Sequence, residues 1–187
     1  MPLQRQPGAR TGSPAPNPAR DSCAGLGIPS DYGKCRGLKL QIEATKLTSI
    51  GPNPDGRDIQ LAPEASAAWA RMRNAANGNG MKLVAISGFR SIDRQSEIIR
   101  AKLASGQAIE EILRTVAAPG YSEHHTGRAI DIGIPGEEAL TEGFADTPEF
   151  RWLDVNAGGF GFKLSYPCGN PHGISYEPWH WCFHAKV

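Results

Sequence analysis

The amino-acid sequence predicts an α+β fold, with a small, mainly antiparallel sheet and flanking helices. Three observations carry that expectation. Segments of helical composition or with a helical apolar stripe cluster in the middle of the chain, at 63–78, 91–106 and 107–120. Short alternating or aromatic runs interleave toward the end, at 128–135, 162–167 and 179–184. Clusters of Gly, Pro and Asn separate these segments.

The first 20 residues are rich in Pro, Gly, Arg and Ser without periodicity, so disorder is expected there, with one domain over 21–187. LKLQIEA (38–44) alternates and suits a strand, although a short helix is also compatible. GPNPDGR (51–57) is a turn cluster. The Ala-rich run 63–78 reads as a helix, with Pro63 in its first turn and Gly78 at its stop. KLVAISG (82–88) is a short apolar run closed by glycine, which reads as a buried strand. In 91–106, Ser91 suits an N-cap, Ile92, Ile98, Ile99 and Leu103 form an apolar stripe, and Gly106 ends the helix. A further helix is expected over 107–120, stopped by Pro119-Gly120. RAIDIGIP (128–135) alternates as a strand does, and 147–160 reads as a helix capped by Thr147 and ended by Gly158-Gly159. FKLSYP (162–167) and WHWCFH (179–184) have the aromatics and alternation of strands.

Bulk properties exclude several classes. At 187 residues the chain suits one domain with a real core, and its 40% hydrophobic and 21% charged content is ordinary for a globular protein. A formal net charge of +1 gives no basic surplus for nucleic acid. No apolar run approaches membrane-spanning length, and the first residues carry no apolar core of a secretory signal. The cysteines, Cys23, Cys35, Cys168 and Cys182, fall in two near-neighbour pairs. Disulfides Cys23–Cys35 and Cys168–Cys182 are therefore expected in an oxidising compartment, against the alternative of free, partly buried thiols. A four-thiolate zinc site would call for a C-x-x-C spacing that the sequence lacks.

Three local features could carry chemistry. In SEHHTGRAIDIG (122–133), an extended strand over 128–133 puts Ala129, Asp131 and Gly133 on one face, and the loop at Thr126-Gly127 can fold His124 back toward Asp131. The alternative is that Asp131 caps or pairs on the sheet surface. In YEPWHW (176–181), strand parity alone would send Glu177 and His180 to opposite faces. An irregular entry at Pro178 can unite them, with Trp179 and Trp181 as walls or core. The competing reading is an aromatic core strand with a buried histidine. In SGFRS (87–91), Arg90 stands where a strand ends and a helix begins, either facing a pocket or in a surface ion pair.

Taken together, two histidines and one carboxylate are three zinc ligands with a fourth position for water. A further carboxylate can take that water's proton, and an arginine can stabilise an oxyanion. That set suits metal-assisted amide hydrolysis.

SGFRS, SEHHTGRAIDI and EPWHW together resemble the VanY-type zinc D,D-carboxypeptidases, bacterial peptidoglycan peptidases of the Hedgehog/D,D-peptidase fold. The family pattern S-x-H-x-x-G-x-A-x-D falls on Ser122, His124, Gly127, Ala129 and Asp131, and E-P-W-H on Glu177 to His180. The resemblance spans roughly 82–183. It implies one Zn2+ per chain on His124, Asp131 and His180, with Glu177 as catalytic base. It implies that Arg90 stabilises the transition state or binds substrate, and that Gln95 and Ser122 contact substrate. His125 falls where the pattern accepts variable residues, and His172 and His184 have no motif role. The implied substrate is the peptidoglycan stem peptide, which loses its terminal D-alanine, in the periplasm or at the cell surface. The sequence leaves the oligomeric state open, with a monomer expected. L,D-carboxypeptidase, endopeptidase and non-catalytic zinc-binding alternatives belong to the same fold.

Overall fold

The computed structural model describes residues 18–185. The disorder expected at the N-terminus lies outside the described residues as far as position 17, and helix α1 (Pro18–Gly25) follows at once. After it come a single turn of helix, α2 (Tyr32–Cys35), and an irregular stretch to residue 47. The strand expected over 38–44 is therefore corrected. That segment makes isolated backbone bonds, Gln41 N–H to Gly120 and Ala44 N–H to His125 (2.8 Å each), instead of a ladder.

The first strands are β1 (Thr48–Pro52) and β2 (Asp58–Leu61), an antiparallel hairpin across the turn cluster. Asn53 organises that turn. Its side-chain oxygen accepts from the amides of Asp55 (3.0 Å) and Arg57 (2.9 Å), while its NH2 donates to Ile86 O (3.2 Å). α3 spans Pro63–Gly78, the range read from the sequence. β3 (Val84–Ser87) leads into α4 (Ile92–Ala104), whose N-cap Ser91 accepts from Arg94 N–H at 3.0 Å.

α5 runs only over Ile109–Thr115, shorter than expected, because Val116 turns extended (φ −136°, ψ 112°) well before Pro119. A 3-10 turn (Glu123–Thr126) precedes β4 (Ala129–Gly133). α6 (Pro148–Asn156) is capped by Thr147 and tightens into a 3-10 turn over 157–160, where a longer α-helix was expected. β5 (Phe162–Leu164) and β6 (His180–Phe183) complete the chain.

The main sheet is antiparallel throughout, in the order β3-β4-β6-β5. One face packs Ile130, Ile132, Trp181 and Phe162 against Trp69 and Met72 of α3 and Leu153 of α6. Full burial of side chains of this size stabilises by about 2 kcal/mol each. A second cluster joins Leu26, Tyr32, Ile99 and Ile112 among α1, α2, α4 and α5. The other face of the sheet therefore looks toward α4, and a cavity lies between the two layers.

The cysteine expectation is corrected as well: among the described residues all four thiols are free. Cys182 is buried in β6, and Cys23 is buried with its sulfur toward Pro119 O (3.5 Å). Cys35 and Cys168 are exposed. No helix among the described residues is long and apolar enough to cross a membrane.

Gly88 joins the hairpin to the sheet by close approach. A Cβ there would stand 2.6 Å from Gln60 O and 2.7 Å from Ile59 Cγ2. Gly88→Ala should therefore destabilise the fold by about 2 kcal/mol through overpacking. Urea denaturation checks this, and an unchanged midpoint would mean that β2 can move aside freely.

Candidate metal centre

β4 and β6 pair with Asp131 directly opposite His180 and Ile130 opposite Trp181. Alternation then sends the isoleucine–tryptophan pair into the core and the aspartate–histidine pair to the cavity face. His180 Nδ1 lies 3.0 Å from Asp131 Oδ1.

His124 reaches the same point from the 3-10 turn. Three residues per turn separate successive side chains by roughly 120°, so neighbours in such a turn point apart. His124 turns Nε2 to Asp131 Oδ2 (3.3 Å), while its Nδ1–H donates to Gly88 O (2.6 Å). His125 points elsewhere: its Nδ1–H donates to Arg90 O (2.6 Å), and its Nε2 accepts from Gly120 N–H (3.0 Å). Both nitrogens of His125 are thus committed to backbone. Gly127 ends the turn at φ +64°, and a Cβ there would stand 2.8 Å from Ala62 N.

Glu177 and His180 meet through a turn. His180 N–H donates to Glu177 O (3.0 Å) across Pro178-Trp179, with proline at the second position. The Glu177 carboxylate comes to 3.8 Å from His180 Nδ1. The irregular entry expected at Pro178 is what the chain adopts. Trp181 is core, with Nε1–H bonded to Pro178 O (3.0 Å), and Trp179 lines the cavity.

The cavity measures about 620 Å³, and Arg90, Gln95, Ser122 and Glu177 share its lining with the three-residue cluster. Arg90 donates to Gln95 Oε1 (3.0 Å) and Ser87 Oγ (3.3 Å). Gln95 is buried, and its NH2 donates to Ala117 O (2.6 Å), so both ends of its amide are engaged. Ser122 is buried in the wall. His172 lies outside the centre, its Nδ1 bonded to Arg36 O (2.8 Å), and His184 is exposed.

Sequence reasoning passed over two neighbours. Glu123 lies 3.0 Å from His180 Nε2 and accepts from Ser165 Oγ at 2.6 Å. The only signal was its place beside His124 in SEHH. The Tyr166 ring lies against His180, with centroids 5.0 Å apart, and nothing in the sequence marks it.

Electrostatics divides the acids. Burial disfavours charge on Asp131, yet His124 and His180 hold its carboxyl well below the usual carboxylate range. Burial likewise opposes charge on Glu123, but hydrogen bonds from His180 and Ser165 bring it down to about 2. At Glu177 burial prevails and pushes the carboxyl up to about 7. The Asp131 and Glu123 charges reinforce that rise, and His180 and Arg90 oppose it. Burial lowers the proton affinity of His124 below that of an ordinary imidazole, against the pull of Asp131.

The donor set fits a metal ion. One ligand atom each from His124, Asp131 and His180 lies within 4.8 Å of the others, and all three residues are buried. Two imidazole nitrogens and one carboxylate oxygen suit zinc, and tetrahedral bonds of about 2.0–2.1 Å place ligands roughly 3.3 Å apart. His180 Nδ1 lies 3.0 Å from one oxygen of Asp131 and His124 Nε2 3.3 Å from the other, so the two imidazoles meet on one carboxylate.

Comparison with known proteins shows what the chain is similar to. The family model described as VanY: D-alanyl-D-alanine carboxypeptidase matches residues 58–186. A D-alanyl-D-alanine carboxypeptidase of Enterococcus faecalis (strain ATCC 700802 / V583) is 34% identical over 139 residues, covering 69% of this chain and 48% of the relative. The chain spans about half the length, or less, of the first curated relatives it matches, 45%, 48% and 37%. The solved LdcB LD-carboxypeptidase superposes with a TM-score of 0.68 at 34% identity, covering 76% of this chain and 70% of that one. A mutant of the vancomycin-resistance D,D-pentapeptidase VanY in complex with Zn(II) gives a TM-score of 0.58 at 28% identity, covering 78% and 80%.

The adjacent histidines should separate in a metal-binding assay. His124→Ala should lose stoichiometric zinc, whereas His125→Ala should retain it and lose about 1–3 kcal/mol of stability through the unpaired carbonyl and amide it leaves. Metal analysis after dialysis checks this, and loss of zinc from a folded His125→Ala variant would reverse the assignment.

Proposed function

This chain belongs to the VanY D-alanyl-D-alanine carboxypeptidase family, and from that premise we propose that it is a zinc-dependent carboxypeptidase removing the terminal D-alanine from peptidoglycan stem peptides. The observation that supports this best is Glu177. It is a buried carboxyl with its proton affinity near neutrality, beside the His124–Asp131–His180 cluster and in one cavity with Arg90. A non-catalytic zinc module has no use for that pairing of base and arginine.

When bound by His124, Asp131 and His180, zinc supplies Lewis acidity toward a water and a carbonyl oxygen. Glu177 accepts a proton from the attacking water as its oxygen bonds to the scissile carbonyl carbon. It then delivers that proton to the departing amine as the C–N bond breaks. A buried carboxyl beside the cluster and on the cavity wall is placed for both transfers. Arg90, fixed by Gln95 and Ser87, presents its remaining donors to the cavity, where they meet the developing oxyanion or the substrate's terminal carboxylate. Gln95 serves through Arg90, and Ser122 contributes to the wall that receives the peptide.

The LdcB likeness favours a second reading, L,D-carboxypeptidase action on a shortened stem. The same residues would serve it, because the difference lies in the stereochemistry that the cavity wall accepts. Peptidoglycan lies outside the cytoplasmic membrane, so the proposal places the protein in the periplasm or at the cell surface. The free thiols withdraw the support that disulfides would have lent.

Glu177→Ala should keep its zinc and lose roughly 10²–10⁴-fold in turnover. Incubation with stem peptides of three, four and five residues, read by mass spectrometry, checks both parts. Loss of one D-alanine from the pentapeptide is expected. Cleavage of the tetrapeptide alone would select the L,D reading, and no product with the zinc-loaded wild type would overturn both. Cell fractionation should find the full-length protein outside the cytoplasm, and a solely cytoplasmic pool would contradict the assigned location.

A further inference from the structure

Imidazole offers a metal only one nitrogen at a time, and the other must carry the proton. His124 settles its choice with a backbone carbonyl, Gly88 O, on Nδ1. His180 uses the opposite nitrogen toward the cluster, so its Nε2 carries the proton. The acceptor there is a side chain, Glu123 Oε2 at 3.0 Å, and Ser165 Oγ donates to the same oxygen at 2.6 Å. The three groups come from separate parts of the chain: the 3-10 turn, the residue after β5, and the start of β6. Glu123 does not line the cavity, although His124, Asp131, Glu177 and His180 do.

Resting on the zinc reading above, we propose that Glu123 is a positioning residue for the metal centre. Its carboxylate locks His180 in the Nε2–H tautomer with Nδ1 turned to the ligand cluster, and Ser165 locks the carboxylate. Such outer hydrogen-bond partners commonly change metal affinity 10–100-fold. Glu123 and Glu177 thus flank one histidine from two sides with different tasks. Glu123 acts through the ring, and Glu177 faces substrate.

Zinc affinity measured by chelator competition tests this for wild type, E123A, E123Q and S165A. E123A should bind zinc at least about tenfold more weakly. E123Q, whose amide oxygen in the place of Oε2 still accepts from both Nε2–H and Ser165 Oγ, should recover most of that loss. S165A should show a smaller loss of the same sign. In a loaded enzyme with saturating zinc, kcat should fall more than KM rises.

E123A binding zinc within twofold of wild type overturns the proposal, as does E123Q falling as far as E123A. If E123A does not fold, S165A and E123Q carry the same decision. Wild type that binds zinc but cleaves no stem peptide overturns the hydrolase reading and leaves this comparison standing. Wild type that binds no zinc overturns both.

Discussion

The register of β4 against β6 is the constraint on which the rest of the site depends. It sets Asp131 across from His180 and, one step along, Ile130 across from Trp181. The two pairs face opposite sides of the sheet, one in the cavity and one in the core beside Trp69 and Met72. A slip of one residue would bury the aspartate among those side chains and expose the isoleucine. Hydrophobic burial of Ile130 and Trp181 therefore enforces the ligand pairing. The site needs no separate source of rigidity along the strands, because the core that holds the sheet together also fixes where two of the ligands meet.

Everything else reaches that pair through short, non-repetitive geometry. The 3-10 turn fans Glu123, His124 and His125 in three directions, to His180, to Asp131 and to the backbone of Arg90 and Gly120. The turn at Pro178 brings Glu177 beside His180, which strand parity alone would forbid. Charge then differentiates three acids of similar chemistry. Asp131 and Glu123 each have imidazole partners at about 3 Å that hold them ionised. Glu177 has a weaker contact, 3.8 Å to the same ring, and burial dominates there. One environment thus yields two fixed anions and one group with its proton affinity near neutrality, the division of roles that acid–base chemistry requires.

The elements with strong local signals were legible in the sequence. α3 had its proline start and glycine stop, α4 its serine cap, and β4 its alternation. The motif residues of the site were legible through their resemblance to a known family, since spacing alone left the choice between His124 and His125 open. What stayed hidden was set by tertiary contact. LKLQIEA alternates like a strand, but its backbone groups find scattered partners at Gly120 and His125, and no strand lies alongside. DIQL pairs as a strand with β1 across the turn that Asn53 organises, and no local pattern marks it. The cysteine pairs are near in sequence, yet their side chains go to separate surroundings, two buried and two exposed. Glu123 and Tyr166 meet His180 across gaps of 57 and 14 residues, which no local pattern records.

The stretch from Ser87 to Arg90 shows how few residues couple the parts of the site. Ser87 stands opposite Asp131 in the sheet, and its hydroxyl accepts from Arg90. Gly88 gives its carbonyl to His124, and its missing Cβ admits the β2 backbone. Phe89 N–H bonds Gln60 O (2.8 Å), which ties the same strand end to the hairpin. Arg90 sends its guanidinium to the cavity, its carbonyl to His125, and its amide to His124 O (3.2 Å). The histidine that faces Asp131 and the arginine that faces the cavity are thus bonded to one four-residue segment, itself fixed on two sides. Displacing either would strain the same backbone, so their separation is set by covalent geometry and backbone hydrogen bonds more than by side-chain freedom. A catalytic arrangement that must hold a cation, a base and an anion receptor in fixed relation is well served by such a segment, since preorganised donors lose nothing to reorientation when charge develops.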